Sequence, residues 1–206
     1  MEYTRSKAYD TPALQSKIMG PNPVKLEEEL LADHRIPAGA VVCDLGSGQG
    51  LTSVFLAKEY GFTVYAADLP FEKEFFDAVV TTDSYNYFGR NPHYLDDKLL
   101  PFVKRGGYIY IAIPGMKRDC HDHLPPELLS WTPEQLDYMH DTAYWSDMVR
   151  QCRGAEVLCV AEMEANEEVW ADWLRQENPY SIGDRRSMEA GGGKYLNFIK
   201  IVLRRV

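Results

Sequence analysis

Apolar and polar positions along this chain switch repeatedly between a β-type and a helical period. Short apolar runs occur at Ala40 to Cys43, Phe62 to Ala67, Ala78 to Thr82, Tyr108 to Ile113, Glu156 to Met163 and Tyr195 to Leu203. Between them lie helical patterns over Leu51 to Tyr60, Tyr94 to Val103, Thr142 to Cys152 and Glu167 to Arg175. The third places Trp145, Met148 and Val149 on one face, and the fourth carries Val169, Trp170 and Trp173. Upstream, Thr11-Pro12 reads as N-cap and first helical residue of a short helix over Ala13 to Met19. Gly20-Pro21-Asn22-Pro23 breaks it, and a second helix over Val24 to His34 carries Leu26, Leu30 and Leu31. Strands alternating with helices predict an α/β fold with a mostly parallel sheet.

The stretch Val41-Val42-Cys43-Asp44-Leu45-Gly46-Ser47-Gly48-Gln49-Gly50 organises the rest. An apolar run delivers the chain to Asp44, then to glycines at every second position, and a helix starts at once. Such a turn presents backbone N–H groups and a helix N-terminus to a ligand. Dinucleotide-binding loops read G-x-G-x-x-G, whereas this one reads D-x-G-x-G-x-G, which disfavours a nicotinamide oxidoreductase. The next apolar run leads into Asp68, an acid about 20 residues beyond the glycine loop and so placed to accept ribose hydroxyls.

At these residues the chain resembles motif I of the class I S-adenosylmethionine (SAM) methyltransferases. The resemblance covers about residues 19 to 115 and the terminal strand pair. It implies a Rossmann-like sheet in the order 3-2-1-4-5-7-6, with an antiparallel last strand and helices on both faces. It also implies that Gly46, Ser47, Gly48, Gln49 and Gly50 pass along the methionine part of SAM. Asp44 would hold its ammonium end, Asp68 and Leu69 would lie at the ribose, and Asp83 and Ser84 would border the cofactor. Lys104-Arg105-Gly106-Gly107 is similar to the K-P-G-G that precedes the family's fifth strand. Asp83-Ser84-Tyr85-Asn86-Tyr87-Phe88-Gly89 is similar to the aromatic loop of the small-molecule branch related to cyclopropane-fatty-acid synthases. Tyr85 and Tyr87 either line the substrate cavity, with Tyr85 a catalytic candidate, or pack the next helix.

One departure stands out. After Asp68 the chain runs within a few residues into Phe76-Asp77 and the Ala78 run, where the family has a helix, a third strand and an adenine-contacting acid. About eight connecting residues at ~3.3 Å each reach roughly 26 Å. The crossover needs about one strand length (~17 Å) plus two strand spacings (~10 Å), so the link must run nearly straight. Either the sequence lacks a segment of its natural parent, as the intact flanks suggest, or it is a genuine minimal variant. Both readings predict the order 2-1-4-5-7-6 without strand three.

The whole of 1–206 reads as one domain, with a helical cap over 1–36 and an insertion over 116–143 on the substrate side. The cap either packs on the sheet or folds over the pocket. Within the insertion, Cys120, His121 and His123 lack the spacing and the fourth ligand of a structural zinc site, so no metal is expected. His121 is the candidate general base, since imidazole titrates near neutrality. His123 and Trp145 are placed with Tyr87 on the substrate side, although a solvated histidine or a core tryptophan would read the same.

Composition narrows the partners. A net charge of −9 with no basic cluster excludes a nucleic-acid face. No apolar run reaches the ~20 residues of a membrane span. Four scattered cysteines and the absence of a signal-peptide pattern predict a cytoplasmic protein. The expected partners are SAM and a small molecule, with a homo-oligomer left open. The expected function is methyl transfer, with a non-catalytic SAM- or nucleoside-binding module as the alternative.

Overall fold

The computed structural model describes residues 2–66, 71–128 and 130–206. At its centre is a six-stranded sheet in the order β2-β1-β3-β4-β6-β5. The strands are β1 (Val41–Leu45), β2 (Thr63–Ala66), β3 (Phe76–Thr82), β4 (Val103–Met116), β5 (Ala155–Glu162) and β6 (Leu196–Arg205). β2, β1, β3 and β4 run parallel, while β6 pairs antiparallel with both β4 and β5. This is the order expected without the family's third strand.

β2 ends at Ala66 and β3 begins at Phe76 on the other side of β1, and residues 71–75 lead into β3. Phe71 and Phe75 from this link pack against one sheet face, their rings 4.9 and 5.0 Å from Phe76 and 5.8 and 5.2 Å from Tyr65. Two aromatic side chains thus cover apolar surface that a crossover helix would otherwise cover.

Alternating strand positions face two cores. Val42, Ala78, Val80 and Tyr110 join the first, and Cys43, Val79, Ile109 and Ile111 the second. The first core takes α1 (Pro12–Gln15), α2 (Pro23–Leu30) and α3 (Leu51–Tyr60) on its side, with Leu26, Leu30, Phe55 and Leu56 buried. Asn22 caps α2, its side-chain oxygen accepting from the N–H groups of Val24 and Lys25. Pro101 breaks the helix expected over Tyr94 to Val103. A π turn at Leu95–Leu99 and a 3₁₀ turn at Leu100–Phe102 replace it, and β4 starts at Val103.

After β4 come the short α4 (Pro133–Leu136), α5 (Thr142–Arg150) on the second face, and α6 (Asn166–Leu174) on the first. A further helix, α7 (Pro179–Glu189), is absent from the sequence-based expectation. Asn178 accepts from the Ser181 N–H and Pro179 takes the first turn, an N-terminal signature present in the sequence. No described helix is long and apolar enough to cross a membrane. No disulfide joins any of the four cysteines.

Candidate functional site

The loop after β1 is built to stay open. Gly46, Gly48 and Gly50 have φ of 83°, 52° and 80°. At Gly46 the need for glycine is double, because a β-carbon would also overlap the Ser84 hydroxyl. Ser84 fastens the loop, its hydroxyl donating to the Leu45 carbonyl at 3.1 Å and lying 2.7 Å from the Thr81 hydroxyl. Gly46, Gly48 and Gln49 are exposed, with Ser47 and Gly50 half-buried. The loop leads into the N-terminus of α3, which has no side-chain cap.

Asp44 sits beneath this loop at 2% exposure. Its Oδ2 accepts from the hydroxyls of Thr52 at 2.7 Å and Ser53 at 2.6 Å, in the first turn of α3. It braces the loop from inside. Burial raises its pKa, opposed by those two hydrogen bonds. Next to it lies Glu27 of α2, fully buried, with one oxygen 3.4 Å from the Thr82 hydroxyl and the other unpartnered. Burial, then the Asp44 charge, pushes Glu27 well above the carboxylate range. Asp68 and Leu69 lie outside the described residues.

Beyond the sheet's C-terminal edge a cavity of about 620 Å³ runs from Gln49 of the glycine loop, past Asp83, to Trp131, Trp173 and Asp184. Met19, Gly20 and Pro21, from the break after α1, form part of its wall. Ser130, Trp131 and Tyr138 from residues 116–143 line it as well, and Trp170, Tyr180 and Asp184 bring in α6 and α7. Asp184 accepts the indole N–H of Trp131 at 2.7 Å and of Trp173 at 2.8 Å, one on each oxygen.

Asp83 sits at the end of β3 with φ of 51°, a left-handed conformation uncommon for a residue with a β-carbon. Its N–H donates to the Ala112 carbonyl at 2.8 Å, which holds the turn. Burial, then the Asp184 charge, pushes its carboxyl up to about 7. Burial also raises Asp184, and the two indole donors oppose that rise.

Of the predicted substrate-side residues, only Tyr87 lines this cavity, 62% exposed, with its ring 4.9 Å from that of Tyr138. Tyr85 and Trp145 do not. Both are buried in the core on the second face, 6.2 Å apart between rings, where Tyr85 also packs on Phe88 and Tyr94. Tyr85–Tyr87 form a 3₁₀ turn, in which residues two apart point in different directions, so Tyr87 reaches the cavity while Tyr85 enters the core. Among the residues that sequence reading missed, Asp184 carried no motif, and Trp131, Trp170 and Trp173 look like core tryptophans because they are that as well.

His121 and His123 also lie off the cavity lining. His123 is on an exposed turn. His121 donates from Nδ1 to Asp119 at 2.7 Å and from Nε2 to the Leu136 carbonyl at 2.9 Å. Both partners only accept, so the ring holds both protons. Burial opposes this charge, but the hydrogen bonds to Asp119 and Leu136 prevail and raise its pKa. His140 Nδ1 lies 2.7 Å from the other Asp119 oxygen. Asp119, His121 and His140 bring ligand atoms within 4.8 Å of one another, and they are the set among the described residues that could hold a metal ion. Their hydrogen bonds already satisfy one another, and the trio ties the insertion to the start of α5.

No protein-family model and no curated protein matches the chain. Solved structures do match. A Haemonchus contortus phosphoethanolamine N-methyltransferase complexed with SAM aligns with a TM-score of 0.71 at 13% identity, covering 99% of this chain and 60% of that one. A geranyl diphosphate C-methyltransferase from Streptomyces coelicolor, complexed with Mg²⁺, geranyl diphosphate and S-adenosylhomocysteine, gives 0.65 at 17% identity, covering 88% and 79%. A Galdieria sulphuraria protein assigned as a sarcosine dimethylglycine methyltransferase gives 0.63 at 16% identity, covering 90% and 91%. The chain therefore has the Rossmann-like fold of small-molecule SAM-dependent methyltransferases.

Proposed function

We propose that this protein transfers a methyl group from SAM to a small-molecule acceptor. The observation that carries the reading is the single cavity joining the glycine loop at Gln49 to an aromatic, acidic chamber past Asp83. A donor on the loop and an acceptor in the chamber would meet at the end of β3, beyond the carboxyl edge of the sheet, where open α/β folds bind ligands. The neighbours solved with SAM or S-adenosylhomocysteine share this fold and support the same donor.

Gly46, Ser47, Gly48, Gln49 and Gly50 would receive the methionine part, with Asp44 and Ser84 holding the loop from beneath. Asp68 and Leu69 would meet the ribose. SAM supplies an electrophilic methyl on a sulfonium. The protein's own contribution is to align an acceptor in line with it and to keep bulk water out. Tyr87 and Asp83 border that meeting point. S-adenosylhomocysteine formation from SAM with a panel of amine, hydroxyl and thiol acceptors tests the reading. Turnover that depends on the acceptor supports it, and a SAM-bound chain inert towards all three classes opposes it.

One observation favours a second reading, a SAM- or nucleoside-binding module without catalysis. β2 is the edge of the sheet and three of its four residues are exposed, so no further strand covers the adenine side among the described residues.

A further inference from the structure

We propose that the acceptor chamber is a cation site and that the acceptor is an amine, methylated at nitrogen. This rests on the methyl-transfer reading above and names its substrate class. Asp83 and Asp184 both face the cavity, yet no lysine, arginine or histidine is among the described residues that line it. No hydrogen bond from a described side chain reaches the Asp83 carboxylate, and Gly20 leaves the space its Oδ2 occupies. By contrast, the half-buried Asp77 carboxylate is answered by a cation, Lys104 at 2.7 Å.

The rest of the wall is aromatic. Trp131, Trp170, Trp173, Tyr87, Tyr138 and Phe198 line the chamber. The rings of Trp131 and Trp170 lie 6.1 Å apart, and those of Trp170 and Phe198 6.3 Å. Asp184 fixes Trp131 and Trp173 through their N–H groups. Aromatic faces around buried acid charge are the chemistry that recognises alkylated ammonium groups. Asp184 already accepts two indole N–H groups, so Asp83 is the carboxylate that a cationic acceptor would partner and a neutral or anionic one would not.

The transfer then balances as follows. The acceptor enters as an ammonium ion and gives one N–H proton to the Asp83 carboxylate. The freed nitrogen lone pair forms the new N–C bond while the methyl's C–S bond breaks, its electron pair staying on sulfur. The product is an ammonium ion with one more methyl and the same single charge, S-adenosylhomocysteine is the by-product, and the proton passes from Asp83 to solvent. An Asp83 carboxyl pushed up to about 7 is suited to take that proton near neutrality.

Calorimetric titration of the full chain with choline, and with its uncharged carbon isostere 3,3-dimethylbutan-1-ol, tests this, with and without saturating S-adenosylhomocysteine. Choline is expected to bind at least about tenfold more tightly than the isostere in both conditions. Asp83→Asn should bring the two within about twofold. That variant keeps the side-chain shape, and asparagine accepts the left-handed backbone at this position. Equal affinities in the wild type would overturn the proposal. So would competition between choline and S-adenosylhomocysteine, which would assign the cage to the donor. A chain that binds SAM without discriminating choline loses the cation site alone. A chain that discriminates choline but binds neither SAM nor S-adenosylhomocysteine keeps the cation site and loses methyl transfer.

Discussion

Gly20 and Asp83 share one position at the floor of the cavity: a β-carbon on Gly20 would overlap Oδ2 of Asp83. The two residues come from opposite ends of the architecture, one from the break between the N-terminal helices and the other from the end of β3. The clash in Gly20→Ala falls on the end of a side chain, so the fold should adjust at a cost of about 1 kcal/mol or less. The carboxylate, however, would move. The expected outcome is a near-normal melting temperature with choline affinity reduced at least about fivefold. Unchanged choline affinity would count against Asp83 as the cation's partner.

Asp184 holds two indoles at once. In Asp184→Asn one acceptor oxygen is replaced by an amide NH₂, which leaves the Trp131 or the Trp173 N–H without a partner. The expected loss is about 1–3 kcal/mol, read as a lower urea midpoint with an unchanged slope. A midpoint equal to the wild type would mean that the bonds do not brace the chamber.

Glu27 makes stability depend on pH with a definite sign. Burial, then the Asp44 charge, raises its folded pKa well above the ordinary glutamate value of 4.5, so above about pH 4.5 the unfolded chain loses a proton that the folded chain retains. This contribution to stability therefore declines as pH rises towards the folded pKa. Glu27→Gln should raise the melting temperature more at pH 8 than at pH 5. An equal shift at both would show that Glu27 is not held protonated.

The Asp119 trio has a window bounded on both sides. Burial would raise Asp119, but hydrogen bonds from His140 and His121 hold it at about 2, so its contribution is present above about pH 4 and lost as pH falls towards 2. His121 is raised, so its contribution is present below about pH 6.5 and lost as pH rises through its folded value. Asp119→Asn should cost on the order of 1 kcal/mol or less, since Asp119 and His121 are 34% and 27% exposed and solvent screens them. The difference should be largest between about pH 4 and 6.5, measured by denaturation across pH. A flat difference would contradict the clamp.

Asp68 is assigned to the ribose from its distance beyond the glycine loop. Asp68→Ala should weaken SAM binding at least about tenfold, consistent with losing hydrogen bonds to a charged group. Unchanged SAM affinity would remove that assignment.

The fold was legible because its period changes are sharp. Val42, Val79 and Ile111 each begin or centre an apolar run, and the D-x-G-x-G-x-G loop marks the strand-to-helix turn that orients the sheet. The strand order without a third strand was legible from the short spacing between the runs ending at Ala67 and starting at Ala78, and Phe71 and Phe75 pack on one core ahead of β3. The glycine turn was readable because Gly46, Gly48 and Gly50 all take the left-handed backbone that favours glycine. The acceptor side was not. Tyr85 and Tyr87 are two residues apart in a loop whose turn sends one ring into the core and one to the cavity, and no periodicity tells them apart. Asp184 becomes functional only where α7 sets it against Trp131 and Trp173, residues from two other segments. His121 drew attention for its imidazole, but its partners Asp119 and Leu136 give it a structural place.

The central claim is that SAM seats on the glycine loop of this chain. Calorimetric titration of SAM into the full protein, beside the Gly46→Ala variant, tests it most directly. The expected result is one-to-one binding by the wild type and none by the variant, whose β-carbon would meet the Ser84 hydroxyl. A folded wild-type chain that does not bind SAM would contradict the account.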